Sequence, residues 1–160
     1  MRVADLSEDR VAERLGALEE AYSSFPVNQT TLSVSGDAYE RARERCTTGL
    51  ADVYVQVYDD AGEVLLVESD DGLAVPHVEP GTDERLEAGT RRAIAERTGV
   101  ECRLTDLQRA TILGVRHDDN PEREPLYRLT TFFAAEHTAG SPGPGVAWYD
   151  DPPESVLPDH

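Results

Sequence analysis

The run from Ala51 to Tyr58 is the most restrictive stretch of this chain, because Val53, Val55 and Val57 alternate with Tyr54, Gln56 and Tyr58. A period of two describes a strand with two different faces. Asp59-Asp60-Ala61-Gly62 makes a turn, and Glu63-Val64-Leu65-Leu66-Val67 pairs back as a hairpin. A loop through Asp70-Asp71-Gly72 leads to Pro76, residues from about Asp83 to Thr98 read as helix, and Gly99 is the expected left-handed stop. Strand-like stretches recur at Ala110–Val115 and Leu126–Ala135, separated by a charged loop from Arg116 to Pro125. The loop Gly140–Gly145 then leads to a short strand with Trp148 and Tyr149. Strands interleaved with a helix predict the α/β class with a mixed, partly parallel sheet.

The segment ahead of this region reads differently. Val11, Leu15, Leu18 and Tyr22 fall at i, i+4, i+7 and i+11, one apolar helical stripe following Ser7 as N-cap, and Phe25-Pro26 ends it. Thr31–Val34 alternates like a short strand. Ser35-Gly36-Asp37 opens a second helix with Tyr39, Ala42 and Cys46 on one side, stopped near Gly49. No polar cluster converges here, so packing or dimerisation is the expected role. The reading is an α-rich arm over residues 1–49 and an α/β domain over residues 50–160.

Composition removes several function classes. The chain has 160 residues, 15 basic and 32 acidic, for a formal charge of −17; every basic residue is arginine and there is no lysine. Schiff-base chemistry, pyridoxal-phosphate anchoring and the Walker-A loop all need that missing amine. The charge argues against a nucleic-acid surface, which depends on clustered cations. Many carboxylates without lysine resemble the proteins of salt-in halophiles, whose surfaces repel themselves at ordinary salt but are screened near 1 M, where the Debye length is about 3 Å. Cys46 and Cys102 stand far apart without zinc spacing, and are expected as free thiols. No apolar leader or long apolar run is present, so a cytoplasmic protein without a membrane span is expected.

The stretch from Pro76 to Val100, PHVEPGTDERLEAGTRRAIAERTGV, resembles the Nudix box of the Nudix hydrolases, whose pattern is Gx5Ex7REUxEExGU with U aliphatic. Aligned without gaps from Gly99 backwards, Glu84 takes the first glutamate position, Arg92 the arginine, Ile94 the first aliphatic position and Glu96 the second-last glutamate, with Gly99-Val100 as the ending. The hairpin upstream and the strand with Trp148 downstream also fit, so the resemblance covers roughly Ala51 to Asp150. It implies a Nudix-like α/β/α sandwich, with the N-terminal arm as an addition. The activity it implies is hydrolysis of a nucleoside diphosphate linked to another moiety, with Mg²⁺ or Mn²⁺ bridging the phosphates.

Four positions depart from the pattern. The opening glycine is Val78 and its usual glycine neighbour is His77; the glutamate after the arginine is Ala93, and the last glutamate is Arg97. A gapped alternative sets Glu79-Pro80-Gly81 on the family's ExG turn, two residues out of register, at the cost of the preserved Pro-to-Gly spacing. In the family, carboxylates at i, i+3 and i+4 of the helix meet a hard cation, which neutralises developing phosphate charge and activates water. Here those positions are Ala93, Glu96 and Arg97. A unit charge pair 4 Å apart is worth about 4 kcal/mol at an effective dielectric of 20, and about twice that for a divalent ion. Replacing glutamate by arginine reverses that sign.

Three readings follow. In the first, a divergent hydrolase uses Glu96 and Glu84 as catalytic and metal-binding carboxylates, with Arg92 as their orienting partner. Its further ligands would come from the charged loop, where Asp118, Asp119, Glu122 and Glu124 sit beside His117; the alternative for that loop is a solvated acidic turn. In the second, an inactive Nudix-like domain without metal binds a nucleotide-like anion through Arg97, with Arg92 assisting and His77 at the pocket mouth. The alternatives are ordinary surface roles: Arg97 paired with Asp83 or Glu101, Arg92 with Glu96 or Glu84, and His77 simply exposed. In the third, the chain is an interaction domain that homodimerises through its N-terminal helices. None involves nucleic acid or a membrane. The charge itself yields a prediction: the melting temperature rises between 0.1 M and 2 M KCl, and thermal melts that show no gain would exclude the salt-adapted reading.

Overall fold

The computed structural model describes residues 3–22, 25–48, 51–69, 72–80, 85–120 and 122–150. The chain begins with α1 (Val3–Ala21), β1 (Val27–Val34) and α2 (Gly36–Thr48). It continues through β2 (Ala51–Tyr58), β3 (Val64–Ser69), β4 (Gly72–Ala74) and β5 (His77–Val78) to α3 (Leu86–Thr98). The long strands β6 (Val100–His117) and β7 (Leu126–Gly140) and the short β8 (Val146–Tyr149) complete it. One sheet runs in the order β1-β6-β7-β2-β3-β4, with β5 beside β2 and β8 beside β3. The pairs β1–β6 and β2–β7 are parallel and the others antiparallel, so the sheet is mixed, as expected.

Strand parity sorts the side chains. Val53, Val55 and Val57 lie opposite Thr131, Phe133 and Ala135 in the β2–β7 register and are fully buried. On that face α1 lays Val11 and Leu18, and α3 lays Leu86 and Ile94. Asp52, Tyr54 and Gln56 point the other way, beside Thr130, Phe132 and Ala134. At one end of this second face, Tyr39 and Cys46 of α2 pack on Val115 and Leu126. Helices therefore cover both faces of an α/β/α architecture.

Several elements extend beyond the sequence reading. α1 starts at Val3, which places Ser7 inside the helix instead of at its cap; Ala4-Asp5-Leu6 contains no residue that breaks a helix. The stripe itself is as expected: Leu15 and Tyr22 pack at the core margin, with the Tyr22 ring 5.5 Å from Phe133 and edge-on to it. β1 pairs residue for residue with Ala110–His117, so residues 27–34 form part of the central sheet and α1 part of the central core. β6 and β7 are much longer than Ala110–Val115 and Leu126–Ala135. Register shifts between Leu104 and Asp106 and between Leu107 and Arg109 break the alternation that would have revealed them. β4 and β5 fall in a stretch read as loop, because two or three residues carry no period. The expected helix start at Asp83 lies outside the described residues. Both cysteines are free and buried, and burial pushes their thiols up. No described helix is long and apolar enough to cross a membrane.

The end of α3 shows why Gly99 stands there. Its φ is 81°, and its N–H donates to Ala95 O at 2.9 Å. Thr98 Oγ1 donates to Ile94 O at 2.7 Å and accepts from Val100 N at 3.1 Å, and Gly143 N donates to Thr98 O at 2.8 Å. A Cβ on Gly99 would lie 2.6 Å from Ser141 O, whereas Gly62, at a φ of 80°, has nothing within 4 Å of its Cβ position. Gly62→Ala should cost only the left-handed strain, about 1–2 kcal/mol. Gly99→Ala should cost clearly more. Urea denaturation of both variants checks this, and equal losses would show that the approach to Ser141 relaxes freely.

Candidate functional site

The polar centre of the molecule lies where β2, β5, β7 and the end of α2 meet. Arg128 follows Leu126 and precedes Leu129 on β7, and only 2% of its side chain is exposed. A guanidinium cannot lose its charge, so burial there demands carboxylate partners. Strand parity supplies one: Asp52 sits on the same face, opposite Thr130. Arg128 Nε donates to Asp52 Oδ2 at 3.2 Å, and its Nη2 lies 3.4 Å from Glu79 Oε1. Arg45, from the last turn of α2, donates to Asp52 Oδ1 at 2.8 Å and also to Glu79 Oε1. His77 Nε2 stands 3.2 Å from Asp52 Oδ1. Two guanidiniums thus face two carboxylates.

Burial alone would push the Asp52 carboxyl up. The hydrogen bond with His77 and the Arg128 guanidinium outweigh it and hold the group well below the usual carboxylate range. The same surroundings act in the opposite direction on Tyr54, whose hydroxyl is raised by burial and then by the Asp52 charge.

Beside this network opens a cavity of about 470 Å³, within the range of small-molecule sites. It is lined by Arg45, His77, Val78, Glu79, Ala93, Glu96 and Arg97. The fold therefore brings together three residues named from the sequence: His77 from β5, and Glu96 and Arg97 from α3. Leu86 and Thr90 of the same helix are buried, and Ala93 is half-buried at the cavity wall. Glu96 is exposed and pairs with Arg92 one turn back, Oε2 to Nη1 at 2.9 Å. Arg97 is exposed and makes no hydrogen bond or ion pair among the described residues, Glu101 included. Glu84 and Asp83, and with them the pairings read for them with Arg92 and Arg97, lie outside the described residues.

The charged loop takes no part in this site. Tyr39 Oη donates to Glu124 O at 2.6 Å and Arg123 Nη2 to Glu40 Oε1 at 2.8 Å, which docks the loop on α2. His117 Nδ1 accepts from the Asp119 and Asn120 amides, both at 3.1 Å, and Asp118, Asp119 and Glu122 are exposed. Of the two roles read for this loop, the exposed Asp118, Asp119 and Glu122 fit the solvated acidic turn. Among the described residues the metal-type grouping is Asp52, His77 and Glu79, whose ligand atoms lie within 4.8 Å of one another.

Asp52, Arg45 and Arg128 were not singled out by sequence reasoning, and Glu79 entered only through the gapped alignment. One signal was available: an arginine inside the apolar run LYRLTTFFAA has to find a buried acid. In a chain of 32 acidic residues, the sequence does not say which acid.

The chain is thus a mixed α/β protein with a guanidinium–carboxylate network beside a cleft at the edge of β5. No family model matches it, and no curated protein matches it. Among solved structures it is similar to an ADP-ribose pyrophosphatase from Streptococcus suis (16% identity, TM-score 0.45, covering 66% of this chain and 79% of that one). It is also similar to a UDP-X diphosphatase (13%, TM-score 0.47, 93% and 83%) and to the Bacillus subtilis pyrophosphohydrolase RppH (19%, TM-score 0.45, 68% and 66%).

The Asp52 carboxyl titrates lower in the folded chain than the ordinary value of about 3.9 in the unfolded one. Its stabilising contribution is therefore complete above about pH 4 and lost as the pH falls further. Asp52→Asn should cost about 3 kcal/mol near neutral pH, because the buried Arg128 loses its main partner. The gap between wild type and variant should narrow below about pH 4. Denaturation curves from pH 7 to pH 2 check this, and a constant gap would contradict an ionised Asp52 at the centre of the network.

Proposed function

We propose that this chain is a catalytically inactive Nudix-like domain that binds a phosphate-bearing, nucleotide-like anion in the cavity between β5 and α3. The observation that carries the reading is Arg97, a cation at the cavity wall with no ion-pair partner among the described residues. It stands where the Nudix box has a glutamate. Guanidinium meets phosphate with two parallel N–H donors, and at this wall it does so without displacing a partner among the described residues.

The described residues do not fit the divalent cation that the Nudix resemblance implies. Of the three helix positions, Ala93 offers no ligand, Arg97 repels a cation, and Glu96 is held by Arg92. The Asp52, His77 and Glu79 group supports the rival reading, metal-assisted hydrolysis, because its atoms converge. Its two carboxylates, however, are already neutralised by Arg45 and Arg128. A cation that needs several oxygen ligands would have to displace two guanidiniums to obtain them.

Titration calorimetry with inorganic pyrophosphate tests both readings. Binding should be the same with EDTA as with Mg²⁺, and about 10- to 100-fold weaker in Arg97→Ala, the range of a charge-assisted pair. Mg²⁺- or Mn²⁺-dependent phosphate release from nucleoside diphosphate derivatives, abolished in Asp52→Asn, would establish the hydrolase instead.

A further inference from the structure

A column of flat groups crosses the second face of the sheet, one from each strand. The Arg109 guanidinium lies over the Phe132 ring at 4.0 Å. Phe132 stacks on Tyr54, centroids 5.1 Å apart and planes within 9°, and Tyr54 stacks on His77 at 4.6 Å and 16°. Register makes the column: Arg109 is opposite Phe132, Phe132 opposite Tyr54, and Tyr54 opposite His77. The column ends at His77 because β5 pairs with β2 and with no other strand among those described.

His77 therefore uses one ring face on Tyr54, and its other, outer face meets no aromatic ring among the described residues. Its side chain remains 36% exposed and lines the cavity. We propose that this outer face is a stacking subsite, and that the ligand of the cavity is an anion bearing a planar ring, an aryl or heteroaryl phosphate. This rests on the reading above that the cavity takes an anion.

Three observations converge on it. The imidazole is fixed before any ligand arrives, by Tyr54 behind it and by Asp52 Oδ1 at its Nε2, so little side-chain entropy is lost on stacking. Arg97 lines the same cavity and supplies the complementary charge for the anionic group. The volume of about 470 Å³ accommodates a ring together with a phosphate. In the Nudix alignment His77 stands just ahead of the pattern's opening position, Val78, where the family usually has a second glycine, so the platform belongs to this chain's own residues and not to the motif it resembles.

Phenyl phosphate and cyclohexyl phosphate separate the stacking subsite from anion binding, since they match in charge and approximate size and differ in planarity. The wild-type chain should bind the phenyl ester about tenfold more tightly, the scale of an offset aromatic pair. His77→Ala should erase that preference and His77→Phe should restore it. In the unmodified chain the His77 Cε1 proton should move upfield in NMR spectra with the phenyl ester and not with the cyclohexyl ester. Equal affinities in the wild type, a preference that survives His77→Ala, or an unmoved His77 proton would overturn the stacking subsite while leaving pyrophosphate binding intact. If neither ester nor pyrophosphate binds, the anion reading itself fails, and the subsite with it.

Discussion

Arg128 carries a permanent charge into the middle of a sheet, and the surrounding structure is arranged to tolerate it. Asp52 meets it from the neighbouring strand, Glu79 from the chain just beyond β5, and Arg45 from the end of α2 shares both carboxylates. Removing one partner from such a set costs several kcal/mol, because the remaining charge stays buried. The network thereby ties together α2, β2, β5 and β7, elements far apart in the chain. It also sets the floor of the cavity, since Arg45, His77 and Glu79 belong to both.

That arrangement underlies the anion-binding reading proposed for the cavity. Carboxylates would attract a divalent cation only if they were free of other cations, and here arginines hold them. On α3, Glu96 is taken up by Arg92, and Arg97 brings positive charge to the wall. In a chain with a net charge of −17, the cleft sets Arg45 and Arg97 beside Glu79 and Glu96, so its lining carries no excess of acid. The aromatic column adds a second, non-ionic component. Stacking from Phe132 through Tyr54 to His77 follows from cross-strand register alone, and it leaves a rigid ring at the sheet edge.

Much of the fold was legible because it depends on short-range periods. The valines of β2, the hairpin into β3, the stripe of α1, the face of α2 and the stop at Gly99 are patterns of two or 3.6 residues, and the structure repeats them. The alternation of Thr31–Val34 made the second half of β1 legible, but its start at Val27, the strands β4 and β5 and the full lengths of β6 and β7 were not. Residues 27–30 are largely exposed and have no apolar period, β4 and β5 are too short to have one, and bulges interrupt β6. In the site, His77, Glu96 and Arg97, all named from the sequence, do line one cavity. Asp118, Asp119 and Glu122 are exposed, as in a solvated acidic turn; in a chain this rich in acid such a cluster carries little information.

The sequence by itself determined the α/β class, the helix that bears Glu96 and Arg97, and the absence of lysine chemistry, because each is a property of neighbouring residues or of composition. Tertiary structure alone decided that Asp52, Glu79, Arg45 and Arg128 form one neutralised group, and that Arg109, Phe132, Tyr54 and His77 form one column. Those sets join residues from different strands and helices. Their contacts depend on strand order and register, which are long-range pairings set by the burial of whole faces, and no local period in the chain encodes them.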